Sequence, residues 1–157
     1  MNKYSLLIYS LIIISGFSSC DKNRVFEEYK TIPGNSWFIN NKVTFDVNIT
    51  DTVNADNLYV DIRNTGAYQY SNIFIFFTAY LPDNTIAKDT LECTLADPSG
   101  KWLGSGLGDL WDNKILFKKN FKFPRTGNYK FEMVQGMRIN PLPQIADVGL
   151  RIEKVKQ

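Results

Sequence analysis

The chain has 157 residues, 44% of them apolar, with 18 basic and 16 acidic side chains, two cysteines and no histidine. A formal charge of +2 supplies no clustered basic surface of the kind a nucleic-acid partner needs, so none is expected. Without histidine, Ser-His-Asp and Cys-His catalysis, His-ligated zinc and a histidine pH switch are excluded together.

The first segment is a leader. Lys3 precedes an almost unbroken apolar run over residues 6–17, and Phe17-Ser18-Ser19-Cys20 closes it. A basic start, a short apolar core and small residues before a processing point make a secretory signal peptide. The run of roughly a dozen residues falls short of the ~20 that span a bilayer. A cysteine directly after two serines is the pattern of a bacterial lipobox, in which the thiol is diacylated and the leader removed. Residues 1–19 are therefore read as a lipoprotein signal peptide and Cys20 as the lipid attachment site. The competing reading, an ordinary cleaved signal that ends at a cysteine, leaves Cys20 with Cys93 as its one available partner. Two cysteines, one of them lipidated, provide no disulfide framework. Removing 19 residues from 157 leaves 138, and the loss of Lys3 lowers the formal charge from +2 to +1. A domain of that size buries about two-thirds of its unfolded surface. Residues 20–24 form the lipidated cysteine and a short tether, and four extended residues reach roughly 14 Å, which sets the domain close to a membrane.

Residues 25–157 read as one all-β domain. Residues 25–32 form a first strand, Pro33-Gly34-Asn35 a turn, and residues 36–41 around Trp37 a loop. Residues 43–50 alternate apolar and polar without a break, which predicts a half-buried strand with Val43, Phe45, Val47 and Ile49 inward. Residues 51–57 are polar and turn-rich, and residues 58–63 alternate again. The continuously apolar run 73–80 suits a strand covered on both faces. Pro82-Asp83-Asn84 is a hairpin turn into residues 86–95, where Leu91, Cys93 and Leu95 share a face and Cys93 is a small buried hydrophobe. Residues 97–113 break the rhythm with four glycines, Trp102 and Trp111. Alternation resumes at 115–123, Pro124-Arg125-Thr126-Gly127 turns the chain into residues 129–134, Pro141-Leu142-Pro143 marks a loop, and residues 148–155 close the domain. Short strands with near-regular turns and no sustained helical period predict a single antiparallel β-sandwich, immunoglobulin-like or jelly-roll-like. Tyr129 opening a late strand matches the tyrosine corner of immunoglobulin-like sandwiches.

Three groups of residues bear on chemistry. Gly104-Ser105-Gly106-Leu107-Gly108 lacks the preceding strand, following helix and Gly-Lys-Ser/Thr ending of a phosphate loop, so its glycines are read as turn residues. Asp97, Asp109 and Asp112 have no EF-hand spacing, and nothing in the sequence sets them apart as a glycosidase pair; loop aspartates serve turns. No catalytic residue, metal or cofactor is expected. Trp37, Trp102 and Trp111 lie in or beside loops, where exposed aromatics stack on sugar rings or anchor protein contacts. The alternative is that at least two of them cap the open ends of the sandwich. Lys118, Lys119, Lys122 and Arg125, interleaved with Phe117, Phe121 and Phe123, read as the solvated face of a strand whose aromatics point inward, with a membrane-facing role open to them. Asp97, Lys101, Trp102, Asp109 and Trp111 together make a candidate interaction loop, since sandwiches carry adaptable loops on a rigid scaffold.

The mature chain closely resembles the GldH gliding-motility lipoprotein family. The resemblance rests on Cys20-Asp21-Lys22-Asn23-Arg24-Val25-Phe26-Glu27-Glu28-Tyr29, Asn57-Leu58-Tyr59 with Ile62-Arg63-Asn64-Thr65, and Lys88-Asp89-Thr90-Leu91. Its most specific block is Leu95-Ala96-Asp97-Pro98-Ser99-Gly100-Lys101-Trp102-Leu103-Gly104, and Gly106-Leu107-Gly108-Asp109 and Asp147-Val148-Gly149-Leu150-Arg151-Ile152-Glu153-Lys154 complete it. It implies a cell-envelope lipoprotein that serves gliding over surfaces as a non-catalytic structural or assembly component, linked to type IX secretion. The implied partners are the membrane, through the N-terminal lipid anchor, and other gliding or secretion envelope proteins. Lipoproteins sent to the outer face in such bacteria often carry an acidic run after the cysteine; Asp21-Lys22-Asn23 is not one, which implies a periplasm-facing protein. Asp51-Thr52-Val53 looks like the short site used for periplasmic O-glycosylation in that group, with Thr52 the acceptor in a polar loop, while Asp89-Thr90-Leu91 lies in a strand and fits less well. The loop tryptophans keep an alternative open, a carbohydrate- or envelope-glycan-binding module.

Overall fold

Period-two alternation places every second side chain on one face of a strand, and each alternating segment of this chain folds accordingly. The structure is a computed structural model that describes residues 22–155. Its strands are β1 (Arg24–Thr31), β2 (Ser36–Trp37), β3 (Val43–Ile49), β4 (Asp56–Thr65), β5 (Asn72–Tyr80), β6 (Ile86–Thr94), β7 (Ser105–Leu107), β8 (Leu110–Phe121), β9 (Gly127–Gln135), β10 (Leu142–Pro143) and β11 (Ile145–Lys154). One 3-10 turn, Pro33–Asn35, follows β1. A five-stranded sheet in the order β1-β11-β4-β8-β7 packs against a four-stranded sheet in the order β3-β9-β5-β6, and β2 pairs with β10 as a small ribbon. All of these pairs are antiparallel, so the chain forms the expected sandwich.

The core is the meeting of the two inner faces. Val43, Phe45, Val47 and Ile49 of β3 all point into it, as their spacing predicts, opposite Leu58, Val60 and Ile62 of β4 and Val148, Leu150 and Ile152 of β11. Ile73, Ile75 and Phe77 of β5 and Tyr129, Phe131 and Met133 of β9 fill the rest of that layer. Cys93 is a free, buried thiol, as read from its neighbours. The Tyr129 hydroxyl donates to the Arg125 carbonyl at 2.9 Å, which ties the strand to its own entry turn. Asn84 takes φ +65 in the β5–β6 hairpin, and Leu81 donates to the Thr85 carbonyl across it.

Four expectations are corrected. β5 is covered on one face, not two: Phe74 is 37% and Phe76 48% exposed on the outer side. Trp37 is not in a loop but in β2, fully buried, with its indole N–H donating to the Asn41 carbonyl at 2.8 Å. The segment Pro141-Leu142-Pro143 contributes β10, whose Leu142 pairs with Trp37 and is buried. β8 begins at Leu110, five residues before the alternation becomes visible, and so carries Trp111 within a strand.

The outer face of the five-stranded sheet is a layer of ion pairs. Arg63 reaches Asp112 and Asp147, each at 3.1 Å, while Arg151 and Lys114 both pair with Glu153. Arg63 also stacks over Tyr29, 4.7 Å from the ring centroid. Tyr29 can lie across the sheet only because its neighbour on β11 is Gly149: a Cβ there would sit 2.9 Å from the ring. Beneath that ring Asp61 is 1% exposed, and neither of its carboxylate oxygens has a hydrogen-bond partner among the described residues. Burial, reinforced by the charge of Asp112, pushes its pKa from the ordinary 3.8 up to about 6.

A carboxyl whose pKa is higher folded than unfolded holds its proton more tightly in the native state, so its contribution to stability falls as pH rises from about 4 to about 6. Asp61→Asn removes that charge. It should raise the melting temperature at pH 7.5 by several degrees, on the order of 2 kcal/mol, and change it little at pH 4. Thermal melts at the two pH values check this, and an equal gain at both would show that the buried charge is not the cost.

Candidate interaction hairpin

The Gly-rich segment that breaks the sequence rhythm folds into two small antiparallel turns of chain. In the first, Asp97 organises its own loop: its Oδ1 accepts from the Ser99 hydroxyl at 2.6 Å, the Ser99 amide at 2.8 Å and the Lys101 amide at 3.0 Å. The Ser99 hydroxyl and these amides hold the carboxyl below the usual aspartate range, so it is a fixed acceptor rather than a proton carrier. Ala96 bridges to Trp102, and Leu103 donates to the Leu95 carbonyl at 2.9 Å. In the second, β7 pairs with the start of β8 through Ser105–Asp112, Gly106–Trp111 and Leu107–Leu110. Gly108-Asp109 is the two-residue connection, and Gly108 has φ +71, the positive value a two-residue hairpin requires at its first central position.

This hairpin is docked, not free. The Asp109 carbonyl and carboxylate both accept from the Gly66 amide, at 2.9 and 3.1 Å. Trp111 lies over Gly106 and beside Gly66, and Trp102 packs on Tyr68, ring centroids 6.4 Å apart. Both tryptophans are half-buried. Three of the expected site residues, Trp102, Asp109 and Trp111, therefore meet the β4–β5 turn at Gly66 and Tyr68, while Asp97 and Lys101 belong to the preceding turn. The sequence reading passed over the β4–β5 turn, and the pair Tyr68 and Tyr70, directly after a Thr-Gly turn, is the signal that marks it.

What the hairpin offers to solvent is Lys101, Leu103, Ser105, Asp109 and Leu110; Leu103 is 59% exposed. Asp97 serves its turn, Asp109 the docking contact and Asp112 the Arg63 ion pair, so the three carboxylates are spent on separate tasks. Among the described residues no group of three or more carboxylate, thiol or imidazole side chains is gathered as a metal site. Burial pushes the Cys93 thiol up to about 12, which removes it as a nucleophile near neutral pH. Thr52 lies in the loop before β4, where Asp51 accepts from the amides of Val53 and Asn54 and Val53 is exposed. Cys20 and the leader lie outside the described residues.

Comparison with known proteins agrees with this geometry at the level of the family. The model of the GldH lipoprotein family matches residues 24–152. A gliding motility lipoprotein GldH homolog of Christiangramia forsetii is 39% identical over 158 aligned positions, covering 96% of both chains. The gliding motility lipoprotein GldH of Flavobacterium johnsoniae is 34% identical and covers 98% of this chain and 96% of its own. Among solved structures, the VP2 subviral particle of infectious bursal disease virus is 16% identical with a TM-score of 0.35, covering 89% of this chain and 36% of that one, a likeness too slight to carry weight. With the family match running from the first strand into the last and both relatives aligned over nearly their whole length, the chain belongs to the GldH lipoprotein family.

Proposed function

We propose that the protein is a non-catalytic structural or assembly component of the gliding-motility apparatus, linked to type IX secretion, held to a membrane through lipid on Cys20 and facing the periplasm. The observation that carries this reading is the near-full-length kinship with proteins named gliding motility lipoproteins. The tether supports it. β1 begins at Arg24, and the carbonyl of Asn23 already accepts from the Lys154 amide at 2.8 Å. Only Asp21 and Lys22 separate Cys20 from that pinned residue, a reach of roughly 10 Å. A domain held so close meets partners at the membrane rather than searching for them. The docked hairpin supplies the proposed contact surface, through Lys101, Leu103, Asp109 and Leu110. The glycan-binding alternative loses ground because Trp102 and Trp111 pack on Tyr68 and over Gly106 instead of presenting open stacking faces.

Deletion of the gene should abolish spreading and gliding and reduce type IX secretion, and cells that move and secrete normally would refute the role. A Cys20→Ala protein should fold, with an unchanged melting profile, yet fail to restore gliding; restoration would show the lipid to be dispensable. We also propose Thr52 as an O-glycan acceptor, since it sits in a surface loop next to exposed Val53. Intact-mass measurement should show a glycan that Thr52→Ala removes, and a mass equal to the bare lipoprotein before substitution would end that idea.

A further inference from the structure

The two sheets do not close along the flank formed by β6 and the second half of β8. Between them lies a cavity of about 390 Å³. Its walls are apolar, built from Leu58, Phe77, Phe117, Phe121, Tyr129 and Phe131. Protein cores hold few voids larger than a water molecule. A water placed inside would need two to four polar partners, which these walls do not provide. The volume falls within the range of small-molecule sites.

The rim is built differently from the walls. Cys93 and Leu91 of β6 face inward, paired with buried Ile73 and Ile75 of β5. By the same parity Asp89 and Ala87 also face inward, opposite Phe77 and Ala79. A sandwich would fill those two positions with large apolar side chains; here they carry a charge and a methyl group. Across the gap β8 has two β-bulges, between its pairings with Asp56, Leu58 and Tyr59 of β4. They bring Lys118 opposite inward-facing Leu58, although Phe117 beside it already packs on Phe77 in the core. Bulges re-aim side chains at sites, and this one aims an ammonium at the mouth. Lys118 Nζ meets Asp89 Oδ2 at 2.6 Å, both side chains remaining more than 40% exposed. Lys88 stands at the same rim. Inward charges on edge strands also deter unwanted strand pairing, but that task requires no space behind them.

We infer that this lateral cavity binds a fatty acyl chain that ends in an anionic group, the chain among the phenylalanines and the anion on Lys118 in place of Asp89. The rim carries two lysines against one aspartate, which favours an anionic head, and the apolar interior, where the Tyr129 hydroxyl is already engaged with the Arg125 carbonyl, favours a hydrocarbon tail. The mouth ion pair is the exchangeable latch: the ligand's anion takes the ammonium, and Asp89 is released to water, where an exposed carboxylate is well solvated.

The full-length lipoprotein in lipid nanodiscs, exposed to diazirine-labelled palmitate and irradiated, tests this. Adducts should map to the peptides of β6 and β8. Ala87→Trp, at an exposed position on the rim, should abolish them without lowering the melting temperature. Lys118→Glu should weaken labelling, and Asp89→Asn should strengthen it, each by about two- to fivefold, the scale of an exposed ion pair. A parallel arm with diazirine-labelled lysophosphatidylglycerol separates a free fatty acid from a lipid source; labelling by either supports the site. Labelling absent with both probes, or indifferent to Ala87→Trp in a folded protein, would overturn it, as would a photo-crosslinker at position 87 that captures a protein segment in cells instead of lipid.

Discussion

The fold rests on one constraint: apolar side chains at every second position must meet between two sheets with no covalent staple to hold them. Among the described residues Cys93 is a buried free thiol, and the layers are joined by apolar packing together with the Lys118–Asp89 ion pair between β8 and β6. The first and last strands lie side by side as β1 and β11, with β1 at the sheet edge. The Asn23–Lys154 bond extends that pairing to the point where the tether begins. The fold and the proposed attachment thus share one sheet edge.

The constraint also explains what was legible beforehand. Residues 43–50, 58–63 and 129–134 alternate, and their inward apolar positions fill the core, because the intervening positions are mostly polar, even where, as at Asp61, that outer face is itself covered. β5 misled for the opposite reason. Phe74 and Phe76 are outward yet aromatic, so the apolar run hid a one-sided strand; Phe76 lies against Gly136, whose Cβ would approach its ring to 3.2 Å. β2 and β10 are two residues each, too short to show any period, and only their mutual pairing buries Trp37. The hairpin of β7 and β8 was illegible in another way. Gly106 and Trp111 face each other across it, and Asp109 is held by the Gly66 amide, so its order comes from distant contacts and from turn geometry, not from alternation. Of the candidate interaction residues, Asp97, Lys101 and Trp102 belong to the turn before β7, and Asp109 and Trp111 to the hairpin; their contacts with Gly66 and Tyr68 have no signal in the segment's own sequence. The bulges that turn Lys118 inward have no local signature at all, since register is a property of two strands.

Charge is placed by the same logic. On the outer face of the five-stranded sheet, Arg63, Arg151 and Lys114 each meet carboxylates from neighbouring strands, which cross-links β1, β11, β4 and β8 at half-exposed positions. Such pairs contribute modestly one by one. Asp61 is the exception, a carboxylate sealed beneath Tyr29 because Gly149 lets the ring lie flat. A side chain that weakens the fold at neutral pH sits inside a network that otherwise supports it. Its place beneath Tyr29 and beside Asp112 couples the protonation of this face to the packing of β1, the strand next to the proposed anchor.

The anchored edge and the open flank are not the same edge. In the order β1-β11-β4-β8, three strand spacings separate them, roughly 14 Å. With the proposed lipid on Cys20, the β1 side would lie near the bilayer and the mouth between β6 and β8 across the width of the sheet. An acyl chain with an anionic end on Lys118 would come from a second molecule, because the acyl chains of a lipidated cysteine are joined as esters or amides and end in no charge. Such an occupant would fill the lateral cavity beside Phe77 and Phe117 and bring the edges of the two sheets under one ligand. The hairpin of β7 and β8 continues the strand that carries Lys118, so the proposed ligand site and the exposed Leu110 belong to one strand.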